Sequence, residues 1–304
     1  MGRFDGKVAI VTGAGRGIGR AEALLLAAEG AAVVVNDLGG ANDGTGSDQR
    51  PAQQVVDEIT AAGGRAVAND DNVAEWTGGQ AIVAQAIDTF GGLDVLLNNA
   101  GILRDKMSFN MDEAEWDAVI DVHLKGHMAT SRFAAAYWRQ RSKETGAPVG
   151  AAIVNTASES GLYGNGGQAN YAAAKAGIAA MTIVLARELE RLGVRVNAIA
   201  PVARTRLTEA LVGGAMDAKD GDFDRFAPEN AAAMAVWLCS PDAEGITGQV
   251  FAVGGGKAQL IEGWRPVTEV PATDVWTLDS LTAARDGLTA GFDTGVPPFL
   301  PPVK

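Results

Sequence analysis

Val8-Ala9-Ile10-Val11-Thr12-Gly13-Ala14-Gly15-Arg16-Gly17-Ile18-Gly19 is the stretch on which the fold is read. Four apolar residues rich in β-branching predict a buried strand, and the glycines that follow end it. The Ala/Leu-rich run after Gly19 predicts a helix over about 17–29. A strand feeding a helix through a glycine-rich turn aims backbone N–H groups and a helix N-terminus at an anion. Glycine also lets a pyrophosphate approach the backbone closely. The spacing is Thr12-Gly13-x3-Gly17-Ile18-Gly19 rather than G-x-G-x-x-G, because Ile18 stands where the third glycine would be. Gly13, Arg16, Gly17, Ile18 and Gly19 are therefore candidate contacts for a dinucleotide.

The same pattern repeats outward from this turn. Apolar runs at 32–36, 95–97, 151–155, 194–199 and 249–253 end in Asp37-Leu38-Gly39-Gly40, Asn98-Asn99-Ala100-Gly101 and similar breaks. They are continuous rather than alternating, as strands covered on both faces should be. Helical stretches lie between them at about 51–62, 74–90, 111–141, 168–192 and 228–240. This alternation predicts an α/β, doubly wound parallel sheet of about seven strands with helices on both faces and right-handed crossovers. Gln249–Val253 is expected to be the last strand. Residues 1–256 form the predicted catalytic domain.

Residues 257–304 break the rhythm. They carry Pro266, Pro271, Pro297, Pro298, Pro301 and Pro302 together with Trp264, Trp276, Phe292 and Phe299. The prolines favour an irregular, extended arm over helix. The aromatics are too many for a solvated end. The arm is expected to bury Trp264 or Trp276 against its own body or a partner subunit.

Composition excludes several classes. The net charge of −12 argues against nucleic acid and against a polybasic membrane anchor. One cysteine, Cys239, leaves no internal disulfide, and two histidines, His123 and His127, leave little for a metal. No uncharged apolar stretch approaches the ~20 residues of a membrane span, and Met1–Gly6 has no apolar signal region. A cytoplasmic protein is the expectation.

Asp37 closes the second strand, 24 residues after Gly13. A carboxylate there can accept hydrogen bonds from ribose hydroxyls and would repel a 2′-phosphate, which favours NAD over NADP. Arg16 is the counter-signal, since a guanidinium could bind that phosphate. Tyr171 and Lys175 are four apart in a helical run and share one face. Ser158 closes the strand before them, at the carboxyl edge where such sheets bind ligands. An ammonium near a phenol is expected to lower its pKa from about 10 and make it a usable acid/base. A Ser hydroxyl can hold the substrate oxygen.

With these residues in order, residues 4–256 resemble the short-chain dehydrogenases/reductases. Thr12-Gly13-x3-Gly17-Ile18-Gly19, Asn98-Asn99-Ala100-Gly101, Ser158, Tyr171-x3-Lys175 and Asn197-Ala198-Ile199-Ala200-Pro201 all stand at family positions. The resemblance implies a Rossmann domain, hydride transfer at a carbonyl or alcohol, and a homotetramer or homodimer. It implies Tyr171 as acid/base, Lys175 on the nicotinamide ribose and Ser158 positioning the substrate. It places Asp71 and Asn72 by the adenine, Asn98 and Ala100 along the cofactor, and Pro201 and Thr205 near the nicotinamide amide. His123 stands where the main pattern has a catalytic Asn, either serving the proton relay or lying as a polar residue inside a subunit-interface helix. Pro201-Val202 departs from the family's Pro-Gly.

A narrower resemblance rests on Val35–Gly40 with its long loop, Asn98–Asp105 and Val122-His123-Leu124-Lys125-Gly126. It is to the (3R)-hydroxyacyl-CoA dehydrogenase domains of peroxisomal multifunctional enzymes of type 2 and their bacterial relatives. Gly164–Tyr171 is equally similar to 3-oxoacyl-ACP reductases. The resulting expectation is NAD-linked oxidation of a secondary alcohol on an acyl-CoA-like or steroid-like substrate. The alternatives are NADPH-dependent reduction of a 3-oxoacyl-ACP and a non-catalytic dinucleotide sensor. The lid, about 203–226, faces the substrate in this family.

Overall fold

Strand β1 (Val8–Thr12) runs through the middle of an eight-stranded sheet and is buried along its whole length. In a computed structural model, the described residues are 2–208, 216–218, 221–291 and 294–299; Phe292, Pro301 and Pro302 lie outside them. The strands are β2 (Ala32–Asn36), β3 (Arg65–Asn69), β4 (Val95–Asn98), β5 (Ala152–Thr156), β6 (Arg195–Val202), β7 (Val250–Gly254) and β8 (Lys257–Ile261). Their order is β3-β2-β1-β4-β5-β6-β7-β8. The chain moves outward from β1 to β3, then returns to the other side of β1 for β4. At the carboxyl ends of β1 and β4 the chain therefore leaves in opposite directions, opening the crevice in which doubly wound sheets bind ligands.

Side chains alternate across the sheet. Ala9, Val11, Val33 and Val35 pack with α1 (Gly17–Ala28), α2 (Arg50–Ala61) and α8 (Pro228–Cys239). Val8, Ile10, Val34, Leu96 and Ile153 pack with α3 (Trp76–Phe90), α5 (Gly126–Thr145) and α7 (Ala169–Leu189). Both faces are dry, which is why the strands read as unbroken apolar runs. α7 is long and apolar enough by composition to cross a membrane. Here it lies against the sheet, with Ile178, Leu185 and Leu189 buried.

The structure departs from the expected elements at four points. The sheet does not end at β7: Gly255 and Gly256, both at positive φ, turn the chain into an antiparallel β8. Only glycine takes that pair of angles without strain, and the two-residue hairpin follows. The expected helix 111–141 divides into α4 (Glu113–Ile120), a π-helical turn at Asp121–Lys125, and α5. A short helix α6 (Glu159–Tyr163) follows β5. The arm after β8 contains helix α9 (Leu278–Leu288), started by a Thr277/Ser280 capping box. It occupies the proline-free stretch between Pro271 and Pro297, where the argument against helix does not apply. Within one chain the arm leaves Trp264 87% and Trp276 40% exposed, so neither is buried on its own body.

One buried charge group sits outside the crevice. Glu22 on α1 is 1% exposed, its Oε2 has no partner, and burial pushes its carboxyl up to about 8. An acid whose folded pKa exceeds its ordinary value of about 4.5 costs stability as pH rises from 4.5 to 8. Glu22→Gln should melt with the wild type near pH 4.5 and above it at pH 9, measured by thermal melts across that range.

Candidate functional site

At the end of β1 the glycine turn is held from two sides. The Asp37 carboxylate, at the tip of β2, accepts the N–H of Gly15 at 2.8 Å and of Gly39 at 2.7 Å. The Thr12 hydroxyl accepts the N–H of Asn99 at 3.0 Å and of Ala100 at 3.2 Å. Gly13 has φ +64 and Gly17 φ +55, and a Cβ at Gly13 would come within 2.8 Å of the Ala100 Cα. At Gly19 a Cβ would meet the Gly13 carbonyl oxygen at 2.3 Å. The first two glycines keep a cradle open at the start of α1, and Gly19 lets the helix close on the turn.

The cleft above this cradle has a volume of about 480 Å³, within the range of small-ligand sites. Gly13, Arg16, Gly17, Ile18, Asp37, Asp71, Asn72, Ala100, Pro201 and Thr205 line it, as do Ser158, Tyr171, Lys175 and His123. Two expected contacts do not. Gly19 packs beneath the turn. Asn98 donates to Ser131 and Asn155 and accepts from Thr130, binding β4, β5 and α5 together inside the protein. Its neighbour Asn99, just past the end of β4, lines the cleft instead.

Val202, where the family pattern has glycine, is accommodated by its neighbour across the sheet. Gly254 pairs with Val202, and a Cβ at Gly254 would lie 2.6 Å from the Val202 Cβ. Arg206 also lines the cleft, and no sequence motif marks it as a cofactor contact. Its guanidinium and that of Arg16 both reach the Gly40 carbonyl, at 3.1 and 3.5 Å. Lid and turn thus meet over the loop after β2, a convergence of residues far apart in sequence.

The residues expected to be catalytic come from two helix starts. Ser158 is the N-cap of α6, its Oγ accepting the Ser160 N–H at 3.2 Å. The same hydroxyl faces the Tyr171 phenol and favours its ionised form. Tyr171 sits in the first turn of α7. Lys175, one turn on, is 2% exposed, donates to the Thr156 carbonyl at 2.5 Å and lies 5.5 Å from the Tyr171 ring centre.

The expected drop in the phenol's pKa is not found. Burial pushes Tyr171 up to about 12, with Ser158 opposing and the charge of Asp105 adding to the rise. Burial pushes Lys175 down to about 7, so near neutrality the group meant to favour phenolate has itself lost part of its charge.

His123 lies inside this site. The π-helical turn places its ring edge-on to Tyr171, with centroids 5.1 Å apart at 88°. Nε2 lies 2.8 Å from the Ile102 oxygen and 3.0 Å from the Ile102 nitrogen, while the buried Nδ1 has no partner. Gly101 makes the room: a Cβ there would sit 2.4 Å from the His123 Cε1. Burial, then the Lys175 charge, holds the imidazole well below its ordinary pKa, so it is neutral. His127 is buried behind it. Cys239 is buried in the core between α8 and α1, and burial pushes its thiol up.

The short chain dehydrogenase family profile matches residues 7–212. This chain is a member of the short-chain dehydrogenase family. It is an oxidoreductase acting on CH–OH groups, and the family binds a nicotinamide dinucleotide. Among curated proteins it is 46% identical to hydroxyacyl-CoA dehydrogenase ChsB1 of Mycobacterium tuberculosis, over 95% of this chain and 90% of that one. It is 43% identical to the peroxisomal multifunctional enzyme type 2 of Mus musculus over 84% of this chain, but spans 32% of that protein. A crystal structure of a short chain dehydrogenase from Mycobacterium avium superposes with TM-score 0.84 at 51% identity, covering 97% of this chain and 99% of that one. A short chain dehydrogenase from Burkholderia cenocepacia, in complex with NADP, superposes with TM-score 0.71 at 31% identity over 83% of this chain and 98% of that one.

The glycine cradle and the Asp37 carboxylate fit a dinucleotide in this short-chain dehydrogenase. Lys175 costs the fold stability while its amine is protonated, and that cost is relieved as pH rises from about 7 towards 10.5. Lys175→Met should raise the melting temperature below pH 7, by a margin that narrows towards pH 10, and should abolish most turnover. Melts and rates on one preparation check both.

Proposed function

We propose that this protein oxidises the 3-hydroxyl of 3-hydroxyacyl-CoA thioesters with NAD. The observation that carries the reading is Ser158, Tyr171 and Lys175 meeting at the carboxyl edge beside a dinucleotide cradle, in a chain 46% identical to a hydroxyacyl-CoA dehydrogenase. Ser158 holds the substrate oxygen through its hydroxyl. Tyr171, as the phenolate, takes the proton of that hydroxyl at its phenolic oxygen and becomes the phenol, and a protonated Lys175 beside it favours the phenolate from which the step starts. A bound NAD would supply the acceptor for the hydride that leaves the carbon bearing that hydroxyl. The neutral His123 ring packs against Tyr171 and presents an unpaired nitrogen beside the relay.

Asp37 supports NAD over NADP. Both its oxygens are held by backbone N–H groups, so the carboxylate cannot swing away from an incoming 2′-phosphate. Arg16 and Arg206 favour the opposite choice, and steady-state rates with both cofactors decide it. Purified enzyme should reduce NAD with (3R)-3-hydroxybutyryl-CoA faster than NADP. Tyr171→Phe should lower kcat by about 10²–10⁴-fold with NAD affinity unchanged. A Tyr171→Phe variant keeping a tenth of the rate sinks the assignment, and a preference for NADP sinks the reading of Asp37.

The arm is best accounted for by a second subunit. Val275, Leu278 and Val296 stand more than four-fifths exposed alongside Trp264, an apolar surface that soluble proteins seldom leave open. We infer a homotetramer or homodimer in which the arm lies on a neighbour. Removing residues 262–304 should lower the mass in solution or the melting temperature, read by light scattering and thermal melts; unchanged values would make the arm an appendage.

A further inference from the structure

A buried polar chain leads from the loop after β4 to the Ser158 hydroxyl. Asp105 Oδ2 accepts from Gln168 Nε2 at 2.8 Å. Gln168 Oε1 accepts from Ser160 Oγ at 2.8 Å and Asn165 Nδ2 at 3.0 Å. The Ser160 N–H then donates to Ser158 Oγ at 3.2 Å. Gln168 and Ser160 are both buried. Asp105 Oδ1, also buried, has no hydrogen-bond partner among the described residues.

We propose that Asp105 is a positioning residue for the Ser158/Tyr171 pair: it anchors Gln168, which fixes Ser160, whose backbone N–H aims the Ser158 hydroxyl at the reacting oxygen. This rests on the dehydrogenase reading of the same site. An ionised carboxylate only accepts, so Asp105 dictates that the Gln168 amide turn its nitrogen outward and its oxygen towards Ser160. The Ser160 hydroxyl and N–H belong to the first turn of α6, so holding the hydroxyl holds the N–H that Ser158 Oγ needs. With one lone pair committed to Ser160, the Ser158 hydroxyl turns its proton towards Tyr171 and the substrate.

The charge has a second consequence. Among the described residues, the groups that face Tyr171 are Lys175 on its own helix, His123 on the π-helical turn, Ser158 before α6, and Asp105 on the loop after β4. His127 lies behind His123, and both imidazoles are neutral. Asp105 is the one anion of the set, and its field disfavours phenolate. Burial also raises the Asp105 carboxyl above its ordinary value, with the Gln168 bond opposing.

Two variants and two measurements separate these effects. Asp105→Ala removes the anchor; Asp105→Asn keeps an acceptor for Gln168 and removes the charge. Hydrogen exchange on the full chain reads the anchor without any assay: Asp105→Ala should expose the amides of 158–168 to exchange about tenfold faster, and Asp105→Asn should not. With NAD and (3R)-3-hydroxybutyryl-CoA, Asp105→Ala should lower kcat about tenfold or more while the NAD dissociation constant stays within about twofold. Joined to Ser158→Ala it should add little, because both act through one hydroxyl. Asp105→Asn should keep most of kcat and move the acid limb of kcat/KM to lower pH, a shift that a merely structural carboxylate would not produce. Unchanged exchange over 158–168, losses that multiply in the double variant, or an unmoved acid limb would each overturn the proposal. If the wild type turns over no hydroxyacyl thioester, the function reading fails by itself, and hydrogen exchange alone decides the anchor.

Discussion

The Thr12 hydroxyl, accepting the N–H groups of Asn99 and Ala100, joins the ends of β1 and β4 where the sheet order reverses. Without that bridge the two strands would diverge with their last amides unsatisfied, at a cost comparable to a lost hydrogen bond each. With it, the glycine turn after β1 and the Asn99–Ile102 segment after β4 form two walls of one cleft. The Asn99 side chain adds bonds to the carbonyls of Thr12 and Gly13. The floor of the site is thus a small set of backbone bonds closed by two short polar side chains.

On this floor the groups proposed to be catalytic are placed at a cost to the fold. Lys175 lies buried with one carbonyl partner, Tyr171 is half-buried beside it, and His123 is buried with one nitrogen unpaired. Each would be more stable elsewhere. Charge that is expensive in the resting site is charge that a substrate proton or a bound cofactor can relieve, and pKa values displaced in a cleft are what acid–base work requires. Glu22 shows the contrast: it is as buried and as displaced, but it sits between α1 and α8, away from the cleft.

Specific glycines make this density possible. Gly101 clears the ring of His123, Gly254 clears Val202, and Gly13 clears Ala100. In each case a Cβ would fall inside van der Waals contact. These clearances come from pairs distant in sequence, such as Val202 and Gly254, so a departure at one position can be compensated at another.

The sheet, its helices and the Ser158/Tyr171/Lys175 set were legible in the chain because they follow from local rules. Unbroken apolar runs mark strands covered on both faces, a glycine turn marks a phosphate-binding helix start, and four-residue spacing puts Tyr171 and Lys175 on one side of α7. The tertiary structure decided what depends on long-range partners. It turned Asn98 inward and Asn99 outward, broke the helix at 121–125 so that His123 meets Tyr171, and added β8 through a Gly-Gly hairpin. It reversed the expected direction of the Tyr171 pKa, because spacing reveals a neighbouring ammonium but burial, which only the folded chain sets, outweighs it. It also linked Asp105 to Ser158 through Gln168 and Ser160. Nothing in the order of those residues signals the link, because each hydrogen bond depends on where separate loops come to rest.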